Sequence, residues 1–117
     1  MKEQLCHLLE TVRSIAKLEQ YLKTEWGITL KEGALLCLLR DMPCVKAGTL
    51  TQLLSLSESN ASKVIASAEQ KGLIARSCGA TDKRQQCFAL LPPGLKLLQD
   101  IEQADLPWPA CAQQAQD

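Results

Sequence analysis

The stretch SESNASKVIASAEQKGLIARSCGATDKRQQCFALL, residues 57–91, decides how the chain is read. Ala61, Val64, Ile65 and Ala68 recur at spacings of three and four, which predicts a helix over Glu58–Lys71 with those residues facing inward. Ser57 stands where an N-cap is needed, and Gly72 where a left-handed C-cap would end the helix, with Leu73 supplying the accompanying apolar contact. Two short apolar runs follow, Leu73–Cys78 and Gln86–Leu91, and they predict a two-stranded hairpin. Its tip, GATDKRQ, is longer than a two-residue turn and carries adjacent cations at Lys83 and Arg84.

The outward face of that helix holds Ser59, Asn60, Ser62, Lys63 and Ser67. Serine and asparagine are poor helix formers, and an ordinary solvated face holds more Glu and Lys. Short hydrogen-bonding side chains let a helix approach base edges in a major groove closely. They also suit a first turn rich in capping residues, so the face alone supports either reading. At the tip, Asp82 and Arg84 are two apart and share a side in an extended segment, so Asp82 can orient the guanidinium. Tip cations beside a polar helix fit phosphate or minor-groove contact.

Upstream, a short helix is predicted from about Gly48 to Leu54, with Leu50 and Leu54 one turn apart. Ser55-Leu56-Ser57 links it tightly to the polar helix, and two helices joined in this way form a helix-turn-helix. Before it, Met42–Gly48 is a connector with an extended piece at Cys44-Val45. Thr29-Leu30-Lys31-Glu32 has the form of a capping box, opening a helix that Pro43 stops near Asp41. Leu35, Leu36, Leu38 and Leu39 cover most of that helix, which is expected to be central and buried, with Cys37 as a small apolar filler.

The first 27 residues predict one long helix over Lys2–Glu25, ended by Gly27. Leu5, Leu8, Val12, Ile15, Leu22 and Trp26 form its stripe. So apolar a helix must pack on the domain, on a second copy, or on both. Leu5, Leu8, Val12 and Ile15 are the candidate dimerisation residues. Downstream, Pro92-Pro93-Gly94 opens a final helix ending near Ala104–Asp105, and residues 106–117 are expected to be a disordered tail. The expected division is a dimerisation helix over 1–27, a DNA-binding unit over 28–92, a C-terminal helix over 93–105, and the tail.

The chain has 117 residues and no formal net charge. Its distribution is uneven: Glu58–Arg84 nets +2, whereas the stretch from Leu95 onward nets −3. Aromatic content of 3% argues against a stacking surface for single-stranded nucleic acid. No apolar run reaches the ~18 residues of a membrane span, and the N-terminus lacks a secretory layout, so a cytoplasmic protein is expected. The six cysteines, Cys6, Cys37, Cys44, Cys78, Cys87 and Cys111, include no C-x-x-C pair. Buried reduced thiols are the expectation, with Cys6 on the long helix as a redox candidate and Cys78 and Cys87 as residues that could face each other across the hairpin. No metal site, cofactor or catalytic set is expected, since His7 has only Cys6 beside it and the two project to different helix faces.

From Ile28 to Gly94 the chain resembles the MarR-type transcriptional regulators. The residues that carry this are Leu50 with Leu54, Leu56-Ser57, Ser59 with Ser62, Gly72-Leu73-Ile74, Arg76, Asp82-Lys83-Arg84, Leu90 and Gly94. Their order and spacing are more specific than any one of them. The resemblance implies a mainly α fold with a small β-hairpin wing, a winged helix-turn-helix, that acts as a homodimer on a pseudo-palindromic double-stranded operator. It implies that Ser59, Asn60, Ser62 and Lys63 meet bases and phosphates in the major groove. Arg84 would enter the minor groove braced by Asp82 beside Lys83, and Arg76 would serve as a backbone contact or a structural ion pair. Repression relieved by a small-molecule effector or an oxidant is the family's usual mode. The sequence departs from the pattern at Lys46, where a Ser or Thr often caps the third helix, and at Leu91, where Thr is usual. The short final helix leaves Lys2–Glu25 as the main candidate interface. A winged-helix module that docks a protein partner and no longer binds DNA is the alternative.

Overall fold

Leu35, Leu36 and Leu50 have no exposed surface, and the elements that cover them form one of two compact units. The computed structural model describes residues 1–78 and 86–113. The larger unit is Lys31–Gln103, and the other joins Met1–Leu30 to the C-terminal residues from Ala104. The chain runs α1 (Lys2–Trp26), α2 (Leu30–Asp41), β1 (Val45–Lys46), α3 (Ala47–Leu53), α4 (Glu58–Gln70), β2 (Ile74–Cys78), β3 (Gln86–Leu90), α5 (Pro92–Gln103) and α6 (Ala110–Gln113). It is a mainly helical winged helix-turn-helix.

In the larger unit, Leu39, Val45, Ala61, Ile65, Ala68, Leu73, Ile74, Phe88 and Leu98 are buried with the three leucines. Each large side chain withdrawn from water contributes about 1.5–3 kcal/mol, so this cluster is the main force fixing α2, α4 and the sheet together. The sheet has three antiparallel strands in the order β1-β3-β2. The extended piece expected at Cys44-Val45 is thus a third strand, pairing Val45 with Phe88 and Lys46 with Cys87.

α5 packs closely because Gly94 has no side chain. A Cβ there would lie 2.4 Å from the Leu73 carbonyl oxygen and 2.6 Å from Leu90 Cδ1. The same Leu73 oxygen accepts from the Leu91 amide at 3.0 Å. With Leu91 offering no capping hydroxyl, the close backbone approach at Gly94 and the two prolines locate the helix start.

In the smaller unit, Leu18, Leu22, Ile28, Leu106 and Pro109 are buried, and Tyr21 meets Trp26 at a centroid distance of 5.8 Å. The N-terminal half of α1 differs: Leu5, Leu8, Leu9 and Val12 are 51–61% exposed, while Ile15 is half-buried. Where the sequence predicts a disordered tail, Ala110–Gln113 instead turns into a short helix. Its Gln113 Nε2 donates to the Trp108 carbonyl at 3.0 Å.

The cysteines depart most from expectation. Cys6, Cys37 and Cys111 are exposed free thiols, not buried ones. Cys37 points out of the leucine run because it lies between Leu36 and Leu38 on the far side of α2 from Leu35 and Leu39. Cys44 and Cys87 are joined as a disulfide, with 5.4 Å between their Cα atoms. Cys78 does not oppose Cys87. The register sets Cys78 opposite Gln86 and Cys87 opposite Ser77.

Candidate nucleic-acid interface

α4 begins as its sequence requires. Ser57 is extended at φ −68° and ψ 159°, and its hydroxyl accepts from the Asn60 amide at 3.1 Å. This bond satisfies one of the amide groups that a helix start leaves without a partner. α3 lacks such a cap. Lys46 occupies the position with no side-chain hydrogen bond, as its departure from the Ser or Thr pattern implies.

Backbone hydrogen bonds close the turn between the two helices. The Leu54 amide donates to Leu50 at 2.9 Å, Ser55 to Gln52 at 3.1 Å and Leu56 to Thr51 at 3.2 Å. Ser55 holds φ at +54°, a left-handed conformation that disfavours side chains, and Leu56 is half-buried at the corner. A turn this tight fixes α4 against α3.

Around α4, Ala61, Ile65 and Ala68 are buried, whereas Ser59, Asn60, Ser62 and Lys63 are all exposed. The four outward residues lie in the first two turns, so their short side chains stand on the end of the helix nearest its N-terminus. The positive end of the helix dipole lies there too, and it favours phosphate. Ser67, expected to face outward, is instead half-buried and donates to Glu32 Oε2 at 3.1 Å.

Glu32 has a role beyond the capping box that the sequence predicts. It is 2% exposed, and Lys71 Nζ donates to both its oxygens at 2.8 Å. Ser67 and Lys71 are one turn apart at the C-terminal end of α4, so one buried carboxylate ties that end to α2. The capping-box spacing places Glu32 in the first turn of α2 but gives no sign of a partner 35 and 39 residues away.

The hairpin joins α4 through Arg76. Its Nη2 donates to Glu69 Oε1 at 2.8 Å and its Nη1 to Gln86 Oε1 at 3.1 Å. Its guanidinium carbon also sits 5.3 Å from the centre of the Phe88 ring. The hydrogen bond to Glu69 raises the Arg76 pKa still further above its usual value. Of the two roles expected for Arg76, the contacts supply the structural one: it braces β2 against both α4 and β3. Asp82, Lys83 and Arg84, the expected wing-tip residues, lie outside the described residues.

The MarR family pattern matches residues 28–85, the span holding the capping-box helix, the helix-turn-helix and the hairpin. The chain belongs to the MarR family. It is 33% identical over 96 residues to a candidate transcriptional regulatory protein for the hcr operon of Thauera aromatica. That match covers 77% of this chain and 56% of the relative, so the chain spans little more than half of the relative's length. Among solved structures, a mutant MarR from E. coli complexed with operator DNA superposes with a TM-score of 0.73 at 23% identity, over 86% of this chain and 71% of that one. A MarR family regulator from Streptomyces coelicolor in complex with DNA gives 0.74 at 24% identity, covering 84% and 64%. BpsR of Bordetella bronchiseptica, whose DNA binding is regulated by 6-hydroxynicotinic acid, gives 0.73 at 24% identity, covering 87% and 74%. At these identities the structural likeness establishes the fold, and it agrees with the MarR assignment.

Proposed function

We propose that the chain is a sequence-specific double-stranded DNA-binding transcriptional regulator of the repressor type, acting as a homodimer in the cytoplasm. One observation carries this: Ser59, Asn60, Ser62 and Lys63 form an exposed, short-chained polar face at the N-terminal end of a helix whose other side is locked into the core. Such a helix enters a major groove without long side chains holding it off. Ser62 and Asn60 suit base edges, and Lys63 suits phosphate. Lys83 and Arg84, with Asp82 as brace, are the wing residues assigned to phosphate and the minor groove. Arg76 acts indirectly by holding the wing base against Glu69.

The long helix supplies the dimer in this reading. Leu5, Leu8 and Val12 are exposed on one chain and are the surface a second copy would cover, with Ile15 at its edge. Two copies then present two α4 helices to successive major grooves, about 34 Å apart. The BpsR precedent makes a small organic acid a reasonable class of effector to test.

The test is selection of duplexes from a random-sequence pool, followed by affinity measurement on the winner over a range of salt. Binding that weakens steeply with salt, and a log–log slope that shrinks by about one for Lys63→Ala, is the expected result. A pool that never enriches, even at low salt, would overturn the reading in favour of a protein-docking winged helix.

A further inference from the structure

The Cys44–Cys87 bond is not needed to make the sheet, because Val45 and Lys46 already pair with Phe88 and Cys87 along the strands. Its position is unusual in another respect. Cys44 lies in the bend between α2 and β1, two residues before the N-cap of α3, while Cys87 lies in the central strand of the wing sheet. The bond therefore ties the segment that launches the helix-turn-helix to the strand that carries the wing.

Its surroundings suit exchange. Cys44 is exposed and Cys87 half-buried, so Cys44 is the more accessible of the two to an attacking thiolate. The Ser77 hydroxyl lies 3.3 Å from Cys87 Sγ and 3.6 Å from Cys44 Sγ, and it can donate to either sulfur as negative charge develops there. A lower-energy leaving thiolate makes a disulfide easier to open. The Cα separation falls inside the range that disulfides span without backbone movement, so opening and closing demand no rearrangement of the strands. In a cytoplasmic regulator, disulfides are chiefly transient and redox-sensing.

We infer that Cys44 and Cys87 form a reversible redox latch on the DNA-reading unit: closed, it fixes the wing sheet to the entry of α3; open, it frees them. Closure by a low-molecular-weight disulfide such as oxidised glutathione is balanced as follows. The Cys44 thiolate attacks one glutathione sulfur and releases one glutathione thiolate. The Cys87 thiolate then attacks Cys44 Sγ in the mixed disulfide, the protein S–S bond forms, and the second glutathione thiolate leaves. The protein loses two protons and two electrons, and the glutathione disulfide is reduced to two thiols. A closed latch pre-organises the two DNA-contacting elements, so the oxidised form is the tighter binder. This consequence for DNA rests on the function proposed above, whereas the bond and its effect on the sheet do not.

The full chain would be incubated with oxidised glutathione or with dithiothreitol, blocked with iodoacetamide and digested with trypsin. Cleavage after Arg40, Lys46, Arg84 and Lys96 yields residues 41–46 and 85–96, each with one cysteine. A linked pair in the oxidised sample alone is expected, with amide exchange across Val45–Lys46 and Phe88–Leu90 slowed by roughly tenfold against the reduced sample. The duplex selected above should bind at least about threefold more tightly to the oxidised form. Cys44→Ser should abolish the linked pair and both differences, and its exposed position makes it tolerable to the fold. Absence of the linked pair, or unchanged exchange when it is present, overturns the latch. Equal affinity of the two forms overturns its regulatory role. A linked pair with slowed exchange but no duplex bound by either form upholds the latch and overturns the DNA reading instead.

Discussion

Gly94 and Glu32 show how single residues set the geometry of the reading head. At Gly94 the nearest atoms to an added Cβ belong to the Leu73 carbonyl, which is backbone and also holds the Leu91 amide. It cannot swing aside, so Gly94→Ala has to push α5 away from Leu73, just before β2. A loss of about 1–3 kcal/mol is expected in urea unfolding. Little change would mean that α5 slides freely over Leu73. At Glu32 the two halves of the ion pair are unequal, since the carboxylate is 2% exposed and the Lys71 side chain 37%. Glu32→Gln keeps the shape and lets Lys71 turn to water, at a cost of about 1–2 kcal/mol. Lys71→Met leaves the charge buried and removes the ammonium that bonds both its oxygens, so a larger loss, about 3 kcal/mol, is expected. The order of the two variants in chemical denaturation is the check. If Glu32→Gln is the worse, the carboxylate is not the costly partner. Cys37 allows a simpler measurement. Desolvation raises its thiol pKa, with Arg40 offsetting only part of the shift and Glu102 and Asp41 adding to it. Its alkylation should therefore lag behind that of free cysteine at pH 8 and catch up only at higher pH, as followed by mass spectrometry.

At the scale of elements, α4 and the wing are one mechanical piece because Arg76 spans Glu69, Gln86 and Phe88. The guanidinium fork reaches the two oxygens with separate nitrogens, which an ammonium on a different stem cannot reproduce. Arg76→Lys should leave thermal stability within a degree or two, since exposed pairs contribute little. It should weaken DNA binding by loosening the wing base, with the salt slope unchanged. A reduced slope would instead mean that Arg76 itself neutralises a phosphate. How much of this was legible beforehand depends on the range of the interaction. Ser57 capping α4, Gly72 at φ +75° after it, and the alternation that buries Ala61, Ile65 and Ala68 are local, and periodicity with capping chemistry reaches them. The third strand, the Glu32–Lys71 tie and the Cys44–Cys87 bond join residues 39 to 43 apart. No spacing rule reports partners brought together by packing. Cys37 is exposed and not a buried filler for a related reason: a dense leucine run hides which side of the helix is left over. On the outward face of α4, Ser59, Asn60, Ser62 and Lys63 are exposed as periodicity predicts, whereas Ser67 is drawn in by Glu32, a partner on another helix that no local pattern reports.

For the whole molecule, the question is what covers α1. Leu5, Leu8, Leu9 and Val12 on one helix, each more than half exposed, form a contiguous apolar surface of the sort that marks an interface. A second copy is the simplest occupant, because a two-fold pairing makes the same face serve both sides. Charges placed at its centre should break it: Leu8→Glu with Val12→Glu is expected to convert a dimer into a monomer in sedimentation velocity at micromolar concentration. Neither residue is buried within one chain, so circular dichroism and the thermal transition of Lys31–Gln103 should be retained. DNA binding should nevertheless collapse. Coupling two half-site contacts through one dimer multiplies affinity by about 10²–10⁴, and a monomer forfeits that factor without losing a single residue at the α4 surface. The reading is sunk if the unsubstituted protein is already monomeric at those concentrations, or if the double variant stays dimeric. A monomeric variant that still holds a two-half-site duplex at full affinity would show that each α4 and wing suffice alone, and that the exposed leucines serve some other contact.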